Sequence, residues 1–310
     1  VNNPNLFNQI NSNGSNVLYF DINGNLLYSW YEGQENINGV LCDVWWVNIP
    51  NGIPANSNIT IYMGLGNSNV NYYQYYPYVG ANPFINNGTY GSWDNGFYVF
   101  LFYDNFANLN QWNIYKGSLC ANISVNTTAF GYPVLYMYVS SGMNSNSNSW
   151  CIVYNTSISL PSSFIIDVDT YLGTTNNLED VLPYFNGVSG SFYVFRFDAR
   201  DSGSYNDAIG YYPSGGTSTN FLNYTNIASP SGIWLHVQVV RNQNGNWYLY
   251  KGGTLGIFGN LEASTNQNPV TTSGGIGLTS DGAGPGPVCF DNLIVRSYPP
   301  NGVMPSIYIS

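Results

Sequence analysis

The chain has 310 residues, enough for one large or two ordinary domains, but Lys and Arg together number only 6. Charged residues make up 7% of the chain, against roughly 25% in an average globular protein. A net charge of −10 without a basic stripe excludes nucleic acid and anionic membranes as partners. The 17% of aromatic residues argues against a disordered polar chain, so neutral polar groups must supply its solubility.

The first part of the chain alternates apolar and polar residues, as β-strands do. The stretch "VLYFDINGNLLYSW" (17–30) predicts two strands joined by a tight hairpin at Asn23-Gly24, because both residues of that dipeptide tolerate positive φ. A further strand is predicted over "NITIYMGL" (58–65). No stretch has the apolar spacing of a long amphipathic helix.

A change in composition follows at residues 66–97, which are rich in Tyr, Asn, Pro and Gly and have no clean period. This favours a connecting segment, because its many tyrosine rings would pack on a neighbouring surface rather than stay in water. We therefore predict an N-terminal domain over 1–70, a linker over 71–97, a second domain over 98–298 and a C-terminal tail over 299–310.

The second domain begins with "FLFYDNFANLNQWNIYKGS" (100–118), a strand in which Phe106 and Trp112 are predicted to be buried. Strands are also predicted over 163–172, 191–200, 234–242 and 246–253, with "NQNG" as a turn between the last two. The Gly-rich stretch 271–286 has no lysine and no following helix, so it predicts a strand between turns rather than a phosphate loop. Short strands of even spacing indicate β-sandwiches.

Two stretches near the N-terminus resemble a domain of unknown function from secreted archaeal and bacterial proteins. They are "SNGSNVLYFDINGNLLYSWYE" and "DVWWVNIPNGIPANSNITIYMGLGN", and the similarity covers about residues 6–70. Members of that family usually begin with two further strands. Either this sequence begins after those strands, or a strand is supplied from elsewhere. The second alternative implies a small, incomplete β-sandwich that could accept a strand from a neighbouring copy.

Residues 98–298 resemble the concanavalin A-like, laminin G-like sandwich that commonly follows this domain. The matching pieces are "FYDNF…W", "GIWLHVQVVRNQNGNWYLYKGG" and "GGIGLTSDG…VCFDNLIVRSYPP". The fold class predicted for the whole chain is all-β, with a small N-terminal β-sandwich and a concanavalin A-like jelly-roll β-sandwich. Such folds carry lectins, glycosidases and spacers alike, so the resemblance implies little about activity.

The cysteines and sequons favour an extracellular chain. Four cysteines without C-x-x-C spacing argue against zinc and for two disulfides with three possible pairings, four buried free thiols being the alternative. The four cysteines are Cys42, Cys120, Cys151 and Cys289. Seven Asn-x-Ser/Thr sequons permit glycosylation. They begin at Asn13, Asn58, Asn87, Asn122, Asn126, Asn155 and Asn223.

Catalytic candidates are weak. Concanavalin A-like glucanases use E-x-D-x-x-E on one strand, and the nearest string here has Asp167 and Asp169 on one face but Leu172 in place of the third acid. His236 is the single histidine, and no G-x-S-x-G motif accompanies it, so a structural or surface role is favoured. The sequence predicts that the protein is not an enzyme.

Calcium is the expected cofactor, because sandwiches of this class often hold one Ca²⁺ between their first and last loops. Asp104, Asp291 and Asn292 supply oxygen ligands in comparable places. The segment "FDARDSGSYNDAIG" offers a second set, Asp198, Asp201 and Asp207. Its two arginines would compete with a metal as ion-pair partners, and solvated turns are the alternative for both sets.

The expected function is binding rather than catalysis, on an archaeal cell surface or virion. Carbohydrate recognition needs exposed aromatic faces beside amide groups, but the sequence does not select among Tyr211, Tyr212 and Trp150 as platforms. Exposed rims are expected at 140–150 and 210–225. Partners are therefore surface glycans or, for a filament or coat subunit joined by strand donation, neighbouring copies. A glycan-cleaving enzyme ranks last, and no membrane insertion is expected.

Overall fold

A computed structural model of the chain describes its residues in the ranges 4–37, 39–54, 57–85, 89–140, 150–175, 177–200, 205–216, 218–281 and 286–299, and residue 302. The chain divides into two compact units, the first ending at Tyr103 and the second beginning at Asp104. In the described part of the chain, no helix is long and apolar enough to cross a membrane. β-Strands are the main regular elements of both units, and the first unit also contains short helices.

The first unit contains two small sheets. In one, β1 pairs antiparallel with β4; in the other, β2 lies between antiparallel β3 and parallel β5. The strands are β1 Val17–Phe20, β2 Ser29–Ile37, β3 Val40–Val47, β4 Tyr62–Leu65 and β5 Val79–Ala81. A buried cluster that includes Leu18, Tyr31 and Tyr73 forms the core of this unit. Short helices span Pro4–Phe7 (α1) and Gly96–Val99 (α2).

The turn at Asn23-Gly24 forms, but the predicted hairpin does not extend from it. Gly24 has φ +82°, and the Asp21 carboxylate accepts hydrogen bonds from the backbone N–H groups of Asn23 and Asn25, each at 2.8 Å. One bridge, between Phe20 and Leu26, joins the two arms. Two backbone hydrogen bonds also cross between the arms, from Asp21 to Asn25 and from Leu27 to Tyr19, each at 2.9 Å, and the strand partner of β1 is β4.

The segment predicted as a linker, 71–97, lies within the first unit. It contains a 3-10 helix over Tyr72–Tyr75 and then β5, whose Val79 pairs with Ser29 of β2. The amide of Asn95 donates to the carbonyl oxygens of Ser29 and Pro77, at 3.0 and 2.6 Å. The tyrosines of this segment therefore pack as part of the fold of the first unit.

The second unit is a sandwich of two antiparallel sheets. One runs β15-β14-β13-β12-β19-β10-β7, and the other runs β18-β17-β16-β11-β20-β9-β8. β6 (Phe102–Asp104) spans the point in the chain where the first unit ends and the second begins. The strands after it are β7 Asn113–Lys116, β8 Cys120–Asn126, β9 Val134–Val139, β10 Cys151–Asn155, β11 Phe164–Leu172, β12 Leu178–Phe185, β13 Phe192–Asp198, β14 Asp207–Tyr212, β15 Asn220–Thr225, β16 Trp234–Arg241, β17 Trp247–Lys251, β18 Asn260–Thr265, β19 Gly275–Ser280 and β20 Gly286–Ser297. This arrangement is the predicted jelly-roll β-sandwich.

The core of the sandwich lies between the two sheets and follows the period-2 alternation of the strands. On β11, Ile166 and Val168 are fully buried in this layer, and Asp167 points to the opposite face of its sheet. Phe195 of one sheet packs on Trp247 of the other, with ring centroids 5.2 Å apart. Every strand predicted in this half has a counterpart, and the β16–β17 hairpin turns at the predicted "NQNG".

One disulfide joins the two sheets of the sandwich. Cys120 of β8 is bonded to Cys151 of β10, with Cα atoms 5.2 Å apart. Cys42 and Cys289 are free thiols, so the prediction of a second disulfide is wrong. Cys289 is completely buried, and this burial raises its pKa to about 12, which leaves it an inert core thiol.

Candidate functional site

An open groove lies at one edge of the sandwich, with a cavity volume of about 420 Å³. It is formed where β15, β17 and β18 meet the turn before β17 and the loop after β18. Its lining consists of Leu222, Asn246, Tyr248, Ser264, Thr265, Asn266 and Gln267. None of these side chains is charged, so the groove suits a neutral ligand rich in hydroxyl groups.

Three amide side chains in the groove, those of Asn246, Asn266 and Gln267, make no hydrogen bond to the described part of the chain. The backbone around them is fixed. Asn242 accepts a hydrogen bond from the backbone N–H of Asn246 at 2.9 Å, and the Thr265 hydroxyl accepts one from the backbone N–H of Gln267 at 3.1 Å. The backbone that carries Asn246 and Gln267 is therefore held in place, and the three side-chain amides remain available to a ligand.

Tyr248 supplies an aromatic wall to this groove. Its hydroxyl accepts a hydrogen bond from the side chain of Asn242 at 3.3 Å, which fixes the ring. The ring stacks with Tyr250 at a centroid distance of 6.3 Å, and Tyr250 stacks in turn on Phe258 at 4.7 Å. These three rings form a half-exposed aromatic row along the outer face of the β16–β18 edge.

A network of ion pairs surrounds Asp167, whose side chain points to the same outer side of the sheet and is nevertheless completely buried. The Asp167 carboxylate accepts hydrogen bonds from Arg296 Nε and Gln238 Nε2, both at 2.8 Å, and from His236 Nε2 at 3.3 Å. Strand register explains the meeting, because Gln238 pairs with Asp167 across β16 and β11. Burial would raise the pKa of Asp167, but Arg296 and His236 hold it down at about 2.

His236 is held between two carboxylates. Its Nδ1 lies 2.8 Å from Asp169 Oδ1, and its Nε2 faces Asp167. Burial alone would lower its pKa, but the hydrogen bonds to the two carboxylates raise it to about 10. The ring is an imidazolium at neutral pH and both nitrogens are donors, so it is not available as a general base. This geometry gives His236 the structural role favoured by the sequence.

The predicted calcium ligands fall into two separate groups of contacts. Asn292 donates from Nδ2 to Asp169 Oδ2 at 3.1 Å, and Asp291 accepts from the backbone N–H of Asn292 at 2.8 Å. Asp104 instead accepts hydrogen bonds from the backbone N–H of Phe106 at 2.7 Å and from the side chains of Gln111 and Trp112. Its carboxylate thus organises its own loop.

No group of three or more His, Cys, Asp or Glu with the geometry of a metal site occurs among the residues that the structure describes. Burial raises the pKa of Asp104, and the hydrogen bonds from Trp112, Gln111 and Phe106 oppose this. Phe106 and Trp112 are both buried, as predicted, and their rings stack at 5.9 Å. Calcium at Asp104, Asp291 and Asn292 stays a prediction from the sequence.

The second predicted ligand set forms ion pairs. Asp198 pairs with Arg200, and Asp207 pairs with Lys251. Asp201 lies outside the described residues. Arg196 pairs with Asp180 at 3.0 Å and with Asp281 at 2.9 Å. Of the two arginines expected to compete with a metal, Arg200 thus pairs with a carboxylate of this set and Arg196 pairs with carboxylates outside it. Lys251 is a further competitor, which the sequence did not indicate.

The aromatic platforms considered from the sequence are mostly interior. Trp150 and Tyr212 belong to a buried cluster, with ring centroids 4.9 Å apart. Tyr211 is half-buried. Residues 141–149 of the predicted rim 140–150 and residue 217 of the rim 210–225 lie outside the described parts. Tyr248, which lines the groove, was not selected from the sequence, because nothing in its alternating strand distinguishes the outer tyrosines from one another.

The sequon asparagines differ in exposure. Asn58, Asn122 and Asn223 are exposed, whereas Asn13 and Asn126 are half-buried. Asn155 is only 4% exposed, and its Oδ1 accepts hydrogen bonds from the backbone N–H and the hydroxyl of Ser157. Asn87 lies outside the described residues. The exposed sequons are the accessible acceptors of the folded chain.

The fold defines the second unit as a jelly-roll β-sandwich. No protein-family model matches the chain. The chain is 32% identical, over 307 residues, to "Uncharacterized protein 562" of Sulfolobus islandicus rod-shaped virus 1. The alignment covers 90% of this chain and 49% of that protein, so the chain spans about half the length of the curated relative it matches.

Several solved structures are similar to the chain at low sequence identity. The carbohydrate binding module CBM66 from Bacillus subtilis aligns with 61% of this chain and 98% of its own, at 12% identity and a TM-score of 0.43. A Bacillus subtilis protein with a galectin-like fold aligns with 64% of this chain and 96% of its own, at 11% identity and a TM-score of 0.45. The β-glucanase of Bacillus licheniformis aligns with 63% of this chain and 97% of its own, at 13% identity and a TM-score of 0.42.

Proposed function

We propose that this chain is a non-catalytic glycan-binding module and that the groove at Tyr248 is its binding site. The observation that carries the proposal is the groove's lining: amides and hydroxyls around one aromatic ring, with no charged side chain. A sugar offers hydroxyl groups to the amides and an apolar C–H face to the ring. The groove therefore offers hydrogen-bonding groups for the hydroxyls and an aromatic ring for the apolar face of the sugar.

The proposed location is outside the cell, on the surface of an archaeal virion or its host. The support is the 32% identity to a protein of a rod-shaped virus of Sulfolobus. The low content of charged side chains agrees with exposure to a medium of variable acidity, because the charge of such a surface changes little with pH. Surface glycans of the host are the expected ligands.

The absence of catalysis is part of the proposal. Asp167 is completely buried and bound to Arg296, and Asp169 is bound to His236 and Asn292. Leu172, in place of a third acid, is 1% exposed. Glycoside hydrolysis needs one carboxyl to donate a proton and a second to act as base or nucleophile, and these carboxylates are occupied as ion-pair partners.

A glycan array probed with the full chain tests the proposal. Binding to neutral oligosaccharides is expected, and Tyr248→Ala should weaken it about tenfold or more, because removing a central aromatic costs roughly 2 kcal/mol. The matched control is Tyr75→Ala, which removes a tyrosine of the first unit that is 45% exposed and does not line the groove.

Asn266→Ala, with the exposed Asn110→Ala as its control, tests the amide contribution. Equal binding by wild type and Tyr248→Ala would contradict the assignment of the groove. No binding to any glycan, together with release of reducing sugar, would favour an enzyme instead.

A second candidate function, a filament or coat subunit, is favoured by the strand edge of β4. Ile59, Ile61, Tyr62 and Met63 are each at least 37% exposed, although only Thr60 interrupts this run of apolar side chains. β4 pairs only with β1 among the described strands, so one edge of β4 is open to a strand from another copy. Sedimentation of wild type and Ile61→Lys tests this: self-association that the lysine abolishes supports it, and a monomer at all concentrations refutes it.

A further inference from the structure

Lys251 joins the two sheets of the sandwich at the margin where the groove lies. It is on β17, in one sheet, and its Nζ contacts Asp207 Oδ2 on β14, in the other. The two residues are 44 positions apart in the chain. The side chain of Asp207 is fully buried, and that of Lys251 is 12% exposed. An ammonium and a carboxylate are thus brought together in the interior.

Lysine is rare in this chain, which makes its use here informative. The sequence contains two lysines, Lys116 and Lys251, and Lys116 is exposed. Other buried ion pairs of the sandwich use arginine, as Arg196 and Arg296 do. Arginine is the better partner for a buried ion pair, because its planar fork satisfies both carboxylate oxygens. Lysine differs chemically in that its neutral amine is a nucleophile.

The surroundings of the Asp207 carboxyl favour attack by the Lys251 amine on its carbon atom. Its Oδ1 accepts hydrogen bonds from the Ser229 hydroxyl at 2.9 Å and the backbone N–H of Asp198 at 3.3 Å, on the oxygen that Lys251 does not contact. Donors in these places would stabilise negative charge developing on that oxygen during attack on the carbon. Burial raises the pKa of Asp207, although Lys251 opposes this, and the shift favours the protonated acid.

A second carboxylate stands beside the amine. Glu262 Oε1 lies 3.8 Å from Lys251 Nζ, and the side chain of Glu262 is 11% exposed. Ser229 Oγ is 3.3 Å from the same Nζ. A group that can take a proton from the amine and return it to a leaving hydroxyl is what amide formation between these side chains requires.

We propose that Lys251 and Asp207 condense to an intramolecular isopeptide bond that joins the two sheets covalently, with Glu262 as the proton carrier. Proton transfer within the ion pair gives the neutral amine and the carboxylic acid. Nζ attacks Cγ of Asp207, the Nζ–Cγ bond forms and the bond from Cγ to the hydroxyl oxygen breaks. One proton passes from Nζ through Glu262 to that hydroxyl, which leaves as water. The reaction needs no oxidant, reductant or additional reactant.

Intact-mass spectrometry of the full chain is the direct test. The purified wild type should be lighter than its sequence by one water, in addition to the two hydrogens lost at the disulfide. Lys251→Arg keeps the cation and should show the mass of its sequence with the disulfide formed. Asp207→Asn should react with loss of ammonia instead of water, and its product should have the same mass as the linked wild type.

Two further measurements separate the bond from an ion pair and from misfolding. An amine-reactive label added to the denatured chain should modify Lys116, the internal control, and spare Lys251. Glu262→Gln should fold, as followed by circular dichroism, and remain unlinked. Full sequence mass for the wild type, with Lys251 labelled as readily as Lys116, would overturn the proposal. Complete linkage in Glu262→Gln would overturn the role of Glu262.

Discussion

Replacing His236 by glutamine should cost stability in a way that depends on pH. In the folded chain His236 is an imidazolium between Asp167 and Asp169, with its side chain 14% exposed. Its pKa is raised from 6.5 to about 10 by these carboxylates against the opposing effect of burial. Because the folded pKa is above the unfolded value, the contribution is complete below pH 6.5 and is lost as pH rises toward 10.

The size of the effect follows from the shift. One pKa unit corresponds to about 1.4 kcal/mol. The free energy of unfolding of the wild type should therefore exceed that of His236→Gln by about 4 kcal/mol at pH 6.5 and by about 1 kcal/mol at pH 9. The first figure lies within the range of about 3–5 kcal/mol that removing one partner of a buried ion pair costs. The informative quantity is the change of about 3 kcal/mol between the two pH values.

Urea unfolding followed by tryptophan fluorescence at pH 6.5, 7.5 and 9 measures this difference. The subtraction cancels the titrating groups that both proteins share, and the substitution removes the single histidine of the chain. Gln238→Leu is the matched control: Gln238 lies on the same strand and also binds Asp167, but it does not titrate. Its cost should not change over this pH range.

Nuclear magnetic resonance of the single histidine provides an independent check of the reasoning. Both ring nitrogens should remain protonated at pH 8. A neutral tautomer at that pH, or a stability difference between wild type and His236→Gln that is constant from pH 6.5 to 9, would refute the argument.

Three further predictions concern other buried groups. Glu179 is completely buried, and no cation pairs with it among the described residues; burial raises its pKa. The folded state therefore loses stability as rising pH ionises this carboxyl. Glu179→Gln should unfold at a higher urea concentration than the wild type at pH 7 but not at pH 4. Replacing Cys120 and Cys151 by serine should lower the free energy of unfolding by about 4 kcal/mol, because the disulfide restricts a loop with a sequence separation of 31 in the unfolded chain. Urea unfolding measures this loss. Calorimetric titration with Ca²⁺ tests the calcium site, and Asp291→Asn should reduce the heat of binding seen with the wild type. If the two proteins give the same heat of binding, Asp291 is not a calcium ligand.

The sandwich was predictable because its strands carry their own signals. β16 and β17 alternate cleanly around a turn that contains Gly245 at φ +78°, so local sequence determines both strands and their pairing. At Asn23-Gly24 the same reasoning placed the turn but not the partner strand. The partner of β1 is β4, more than forty positions away, and alternation carries no information on which distant strands pair.

The ion pairs were only partly predictable for the same reason. Asp167 and Asp169 were correctly placed on one face of a strand, but the partners that fix their roles come from β16 and β20. Arg296 and Asp167 are separated by 129 positions. Lys251 and Glu262 were not singled out, because their meeting with Asp207 depends on how two sheets stack, which no pattern within one strand encodes.

The placement of the two links between the sheets has a mechanical consequence. β8, which carries Cys120, and β18, next to the Lys251 strand, are the two ends of the same sheet. The disulfide holds one margin to the facing sheet, and the Lys251–Asp207 contact holds the other. Among the described strands, both outer margins of this sheet are thus fastened to the facing sheet, so the layers cannot separate at either margin without first breaking the disulfide or the Lys251–Asp207 contact.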